Sequence, residues 1–203
     1  MDQAGKVSKA LLISNSAMPS SPNALDSVGL PLGSFAVDFQ LKGVDGKTHS
    51  LNSFSDKKSL VVVFSCNHCP YVVAYEGRMV QVQKDYSPKG VTLVAINSND
   101  DSGYPEDSYP NMIKRAREQG FNFPYLRDET QEIAKKYGAI CTPHVFAFDQ
   151  QRRLQYKGRI DDNRNPESVK TKDLRNALDA ILAGHKPSVQ ETRPFGCSVK
   201  WKN

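Results

Sequence analysis

Residues 60–71, Leu-Val-Val-Val-Phe-Ser-Cys-Asn-His-Cys-Pro-Tyr, limit the possible folds of this chain more than any other stretch. Leu60 to Phe64 is a continuous, β-branched-rich apolar run that follows the polar Asp56-Lys57-Lys58-Ser59. That is the pattern of a strand buried on both faces. After Pro70 the period changes. Val72, Tyr75, Met79, Val82 and Tyr86 fall at helical spacing and form one apolar stripe. Proline is tolerated in a first helical turn, where most N–H groups lack an intrahelical partner. Cys66 and Cys69 therefore sit where a buried strand gives way to an amphipathic helix. The free N–H groups and dipole of a helix start favour an anion there, including a thiolate.

The rest of the composition narrows the classes. A chain of 203 residues is within the range of one domain with a real core. The net charge is +5, but the basic residues are scattered, as in Lys114-Arg115, Lys135-Lys136 and Arg152-Arg153. They read as solvated faces, and no nucleic-acid partner is expected. No apolar run approaches the roughly 18 residues of a membrane span, so no membrane partner is expected. Ala10 to Ile13 is too short for a signal-peptide core. The expected compartment is the cytoplasm, with an organelle as the alternative because the first residues are serine-rich. Four cysteines do not make a disulfide scaffold. In a reduced compartment they suggest redox catalysis or metal binding.

Along the chain, 1–30 reads as a flexible N-terminal extension, 31–186 as one domain and 187–203 as a C-terminal tail packed on it. Ala36 to Leu41 alternates like a half-buried strand. Val91 to Ile96 is a second apolar strand. The segment from Asn97 to Pro110 is polar and irregular. Helices are expected from Pro110 to about Gln119, with Gly120 as cap, and from Thr130 to Tyr137, stopped by Gly138. Phe123 to Leu126 is a short apolar piece. Val145–Phe148 and Leu154–Lys157 form a hairpin whose turn lacks the usual glycine. Leu174, Ala177, Leu178, Ile181 and Leu182 mark a last amphipathic helix ending at Gly184. The tail carries Phe195, Val199 and Trp201, an apolar set that argues for docking.

This order, with Thr142-Pro143 entering the hairpin, resembles the thioredoxin-like fold. The fold expected is therefore α/β, a central mixed sheet flanked by helices. The segments 64–71, Cys141-Thr142-Pro143, Gly-Arg-Ile-Asp-Asp-Asn (158–163) and Gly-Cys-Ser-Val-Lys-Trp (196–201) are similar to the peroxiredoxin-like (redoxin, AhpC/TSA-related) branch with a CxxC motif. The resemblance covers roughly residues 30 to 203. It implies a cis bond at Pro143, packed against the CxxC. It also implies a thiol-disulfide oxidoreductase acting on protein or small-molecule disulfides or thiols, with no cofactor. Two departures stand out. The Pro-x-x-x-Thr/Ser-x-x-Cys loop of peroxiredoxins is absent, since Val63 stands three residues before Cys66. The central strand also lacks thioredoxin's buried acid, which leaves the proton acceptor for Cys69 unassigned.

The expected site follows. Cys66, as the N-terminal and more exposed cysteine, is the nucleophile, and Cys69 resolves the mixed disulfide. His68, between them, would stabilise a thiolate as imidazolium. Thr142 and Pro143 complete the site. Cys141 and Cys197 are possible third thiols, or a buried small residue and a tail bystander. His144 reads as structural. Glu76 and Arg78 read as solvated helix charges, and Asp161-Asp162 as loop residues. Two alternatives stand beside the oxidoreductase. One is a thiol peroxidase using Cys66. The other is a metal module in which Cys66, Cys69 and Cys141, with His68 or Cys197 as a further ligand, hold zinc or copper(I). The leading reading needs no metal.

Overall fold

The structure is a computed structural model that describes Met1 and residues 29–202. Almost all of the segment expected as an N-terminal extension lies outside the described residues. The elements run in the order β1 (Leu41–Gly43), β2 (Thr48–His49), β3 (Ser59–Ser65), α1 (Pro70–Tyr86), β4 (Val91–Asn97), α2 (Tyr109–Glu118), β5 (Tyr125–Arg127), α3 (Glu132–Tyr137), β6 (Cys141–Thr142), β7 (His144–Phe148), β8 (Leu154–Gly158), α4 (Asp173–Leu182) and β9 (Cys197–Ser198). The main sheet has the order β2-β1-β5-β4-β3-β7-β8, and β6 pairs with β9 apart from it. It is mixed. β3 runs parallel to β4 and antiparallel to β7, and β4 runs parallel to β5.

β3 is central, and every residue in it is buried. A strand's side chains alternate between faces. Val61 and Val63 accordingly pack with Val72, Tyr75 and Met79 of α1, Met112 of α2 and Leu174 and Leu178 of α4. Leu60, Val62 and Phe64 pack on the opposite face with Phe146, Phe148, Ile133 and Tyr137. Each fully buried aliphatic or Phe side chain contributes about 1.5–3 kcal/mol, so this two-faced burial fixes the strand that carries the cysteines. Among the described residues no helix is long and apolar enough to cross a membrane.

Several local expectations are corrected. The stretch from Ala36 to Gln40 is not in a strand; the strand starts at Leu41, where pairing with β2 and β5 begins. The hairpin turn closes without glycine because Arg152 takes a left-handed φ of 61°. Its guanidinium is held by the carbonyls of Phe54 and Lys57, which offset that conformation. Glu76 and Arg78 are not solvated charges. Glu76 is buried and receives two hydrogen bonds from Arg115, at 2.6 and 2.8 Å. Arg78 pairs with Asp161 at 2.7 Å, and Asp161, itself buried, accepts from the Tyr75 hydroxyl at 2.8 Å. These pairs tie α1 to α2 and to the loop after β8. Charge spacing on a helix cannot distinguish a solvated face from one with partners supplied by distant segments.

Candidate active site

The parallel strands β3 and β4 end together, with Ser65 opposite Asn97. The chain leaves β3 at Cys66 and passes through Asn67 and His68. It enters α1 with Cys69 as the N-cap and Pro70 at the first helical position. The helix-start position thus belongs to Cys69, and Cys66 lies at the strand end. Both are buried, at 2 % and 0 % exposure, so neither sulfur is open to solvent.

Thr142 clamps the pair. Its Oγ1 is 3.3 Å from Cys66 Sγ, and its carbonyl oxygen accepts from Cys69 Sγ at 3.3 Å. The Thr142–Pro143 bond is cis, as the resemblance implied. Cys141, before it, is buried and donates to the Pro143 carbonyl at 3.7 Å. β6 pairs antiparallel with β9, setting Thr142 opposite Cys197. Cys69 lies close enough to Cys66 and Cys197 for each to influence its ionisation. Pro143, Thr142 and the cysteines at 66, 69, 141 and 197 therefore gather at one end of the sheet.

Within the pair, Cys69 is the sulfur whose ionisation is favoured; while it keeps its proton it donates to the Thr142 carbonyl. Its thiol is held well below the usual range by hydrogen bonds from Cys66 and Cys197 and by the Val72 backbone at the helix start. Cys66 is pushed well above the usual range as the donor to Cys69, by burial and by the Asp107 carboxylate. Burial pushes Cys141 up to about 12. Burial and the neighbouring Cys69 push Cys197 up to about 11.

Asp107 is the residue sequence reasoning missed. It is fully buried. Its Oδ1 accepts from the Asn67 N–H at 2.6 Å, and its Oδ2 accepts from Asn99 Nδ2 at 2.8 Å. His68 Nδ1 also meets Oδ2, at 2.6 Å. The buried acid missing from β3 is supplied here by a one-turn 3₁₀ segment, Pro105–Asp107. The available signal was the run Asn97-Ser98-Asn99 straight after an apolar strand: polar residues at the carboxyl end of a central strand mark a site. His68 is thus oriented by Asp107 and stacks on Tyr104, with ring centroids 5.1 Å apart. Ligand-type atoms of Cys66, His68 and Asp107 lie within 4.8 Å of one another. That set differs from the expected Cys66, Cys69 and Cys141, and His68 and Asp107 already satisfy each other within it.

The tail closes one side of the site. Gly196 lies so close to Thr142 that a Cβ would collide with the Thr142 carbonyl oxygen. Close approach, more than a sharp bend, therefore accounts for this glycine. Phe195 packs on Tyr71 and Tyr75, and Val199 is buried. Trp201, expected to help anchor the tail, is 41 % exposed. Beyond Val199, polar bonds add to the anchoring. The Lys200 N–H donates to Asn99 Oδ1 at 2.9 Å, and the Lys200 carbonyl accepts from the Asp100 N–H and from Gln131 Nε2. Asn99 thus links the tail to Asp107. His144 is buried on β7, and burial lowers its pKa to about 3, which keeps it neutral.

With this geometry in place, relatives are informative. An uncharacterized conserved protein from Geobacillus kaustophilus is 45% identical, with a TM-score of 0.81 over 85% of this chain and 93% of that one. The thiol-disulfide oxidoreductase ResA of Geobacillus thermodenitrificans is 24% identical over 132 residues, 64% of this chain and 70% of that protein. The thioredoxin domain of a thiol-disulfide oxidoreductase from Bacteroides vulgatus, at 18% identity, shares the fold with a TM-score of 0.55 over 63% of this chain and 88% of that one. The profile described as the AhpC/TSA family matches residues 32–157. The chain has the thioredoxin-like fold and belongs to the AhpC/TSA family.

Proposed function

We propose that this protein is a thiol-disulfide oxidoreductase whose working pair is Cys66 and Cys69. One observation carries the reading. Both thiols are held together by Thr142 ahead of cis-Pro143, with Cys69 on the N-cap of α1. In the reducing direction the pair becomes a disulfide, and two electrons and two protons pass to the substrate disulfide, which leaves as two thiols. Cys69 supplies the reactive sulfur of the pair, and Cys66 is the partner that closes the internal bond. The Asp107–His68 pair, beside Cys66, holds and moves the proton of that thiol. Substrates are disulfides or thiols of proteins or small molecules, and a cytoplasmic setting suits a dithiol kept reduced.

Cys69→Ser tests the reading. It should lower insulin-disulfide reduction at least a hundredfold while leaving the fold intact. Wild-type turnover in that variant would overturn it.

A peroxidase reading stays second. Family membership and the Thr142 hydroxyl beside Cys66 favour it. Against it, Val63 is buried in β3 where a peroxiredoxin carries a hydroxyl. Steady-state peroxide consumption with a thiol donor separates the two.

A further inference from the structure

The proposed pair presents a problem of access. Cys66 and Cys69 are 2 % and 0 % exposed, so a bulky disulfide cannot reach either sulfur in this conformation. A third thiol stands at the boundary. Cys197 is partly exposed, it is packed against the core cluster that contains both cysteines, and it lies close enough to Cys69 for the two to perturb each other's ionisation. Its place is fixed twice over. The β6–β9 pairing sets it opposite Thr142, which itself contacts both cysteines. Gly196 allows the backbone beside it to pack directly on Thr142. Cys69 therefore has two thiol neighbours, one internal and one at the surface.

We propose that Cys197 is a relay thiol that carries the disulfide between the buried pair and external substrates, a step that rests on the oxidoreductase reading above. In the oxidised protein, the Cys197 thiolate attacks Sγ of Cys69. The Cys66–Cys69 bond breaks, the Cys69–Cys197 bond forms, and Cys66 leaves as a thiolate that takes up the proton lost by Cys197. No electrons leave the protein in this step. A substrate thiolate then attacks Sγ of Cys197, giving a mixed disulfide and releasing Cys69 as thiolate. A second substrate thiol attacks the substrate sulfur of that mixed disulfide. It forms the substrate disulfide and returns Cys197 as a thiol, and the protein is reduced by two electrons. The reverse sequence reduces a substrate disulfide. Part of what holds the proton on Cys197 is the charge on Cys69. That charge is gone once Cys69 is in a disulfide, so Cys197 becomes a better nucleophile in the state where the relay needs it.

The test compares Cys66→Ser and Cys197→Ser in glutathione redox buffers, with bridges assigned by mass mapping of unreduced digests. Thermal melts confirm folding, with Cys66→Ala as a second form of the first variant. The relay predicts a Cys69–Cys197 bridge in Cys66→Ser. It also predicts that Cys197→Ser forms the Cys66–Cys69 bridge with a small oxidant at the wild-type rate but reduces insulin at least tenfold more slowly. If Cys69 and Cys197 stay free in both Cys66 variants at a potential that fully bridges Cys197→Ser, the relay is wrong. Wild-type insulin reduction by Cys197→Ser also overturns it. If Cys197→Ser forms no Cys66–Cys69 bridge at any potential, the oxidoreductase reading itself fails.

Discussion

Among individual residues, the deciding feature is which sulfur holds the charge. Cys69 is flanked by two thiol donors and a helix start, and Cys66 faces a buried carboxylate. The reduced protein should therefore show thiolate absorbance near 240 nm at neutral pH. Its midpoint should lie well below the ordinary cysteine value of about 8.5. Cys69→Ser should abolish that titration; its survival in the variant would place the thiolate elsewhere. A stabilised thiolate favours the reduced form, so the pair should be more oxidising than thioredoxin, at about −270 mV. A glutathione titration giving a value at or below that would contradict the assignment. Asp107→Asn replaces an acceptor of several donors with an amide. It should cost on the order of 3 kcal/mol in urea unfolding, because an amide nitrogen in place of Oδ2 cannot accept from Asn99 and removes the charged partner of His68, while Oδ1 still accepts from Asn67. The cysteines, His68 and the Thr-Pro pair were legible because their chemistry and spacing are local. Asp107 was not, since a buried acid in a loop has the same sequence appearance as a solvated one.

Among the elements, the periodic helices were legible. The stripe on α1 buries as its spacing requires, and Gly138 ends α3 in a left-handed conformation. Pairings over long separations were not. The strand placed at Ala36–Leu41 slid to Leu41–Gly43, because the partner strands decide where a ladder begins. The tail docks through Phe195 and Val199, and the hydrogen bonds with Asn99, Asp100 and Gln131 that reinforce it were not legible. Gly196→Ala tests that docking. The added methyl meets the Thr142 carbonyl, so β9 should detach. Alkylation of Cys197 in the reduced protein should then speed up several-fold, and the melting temperature should fall by a few degrees, a loss of about 1 kcal/mol. Unchanged alkylation would mean that the tail is held independently of that contact.

For the whole molecule, a two-faced sheet presents the ends of two parallel strands to a helix start, and the loops supply what the strands lack. That burial carries a pH signature. His144 has a pKa of about 3 when folded and about 6.5 when unfolded, so the unfolded chain binds more protons between those values. The sign follows from that difference. Its contribution to stability is complete above about pH 6.5 and is lost as pH falls toward 3. Unfolding free energies of His144→Asn across that window should show a shallower acid slope than wild type. An identical slope would assign the acid sensitivity to other groups.

The central claim is that Cys66 and Cys69 interconvert between dithiol and disulfide in the folded protein. It is tested most directly by counting free thiols in Cys197→Ser while the glutathione potential is stepped from about −300 to −150 mV, with the bridge assigned by mass mapping. Two thiols should be lost in one transition, with a bridge between Cys66 and Cys69. A constant thiol count across the whole range, or a bridge that excludes Cys69, would contradict it.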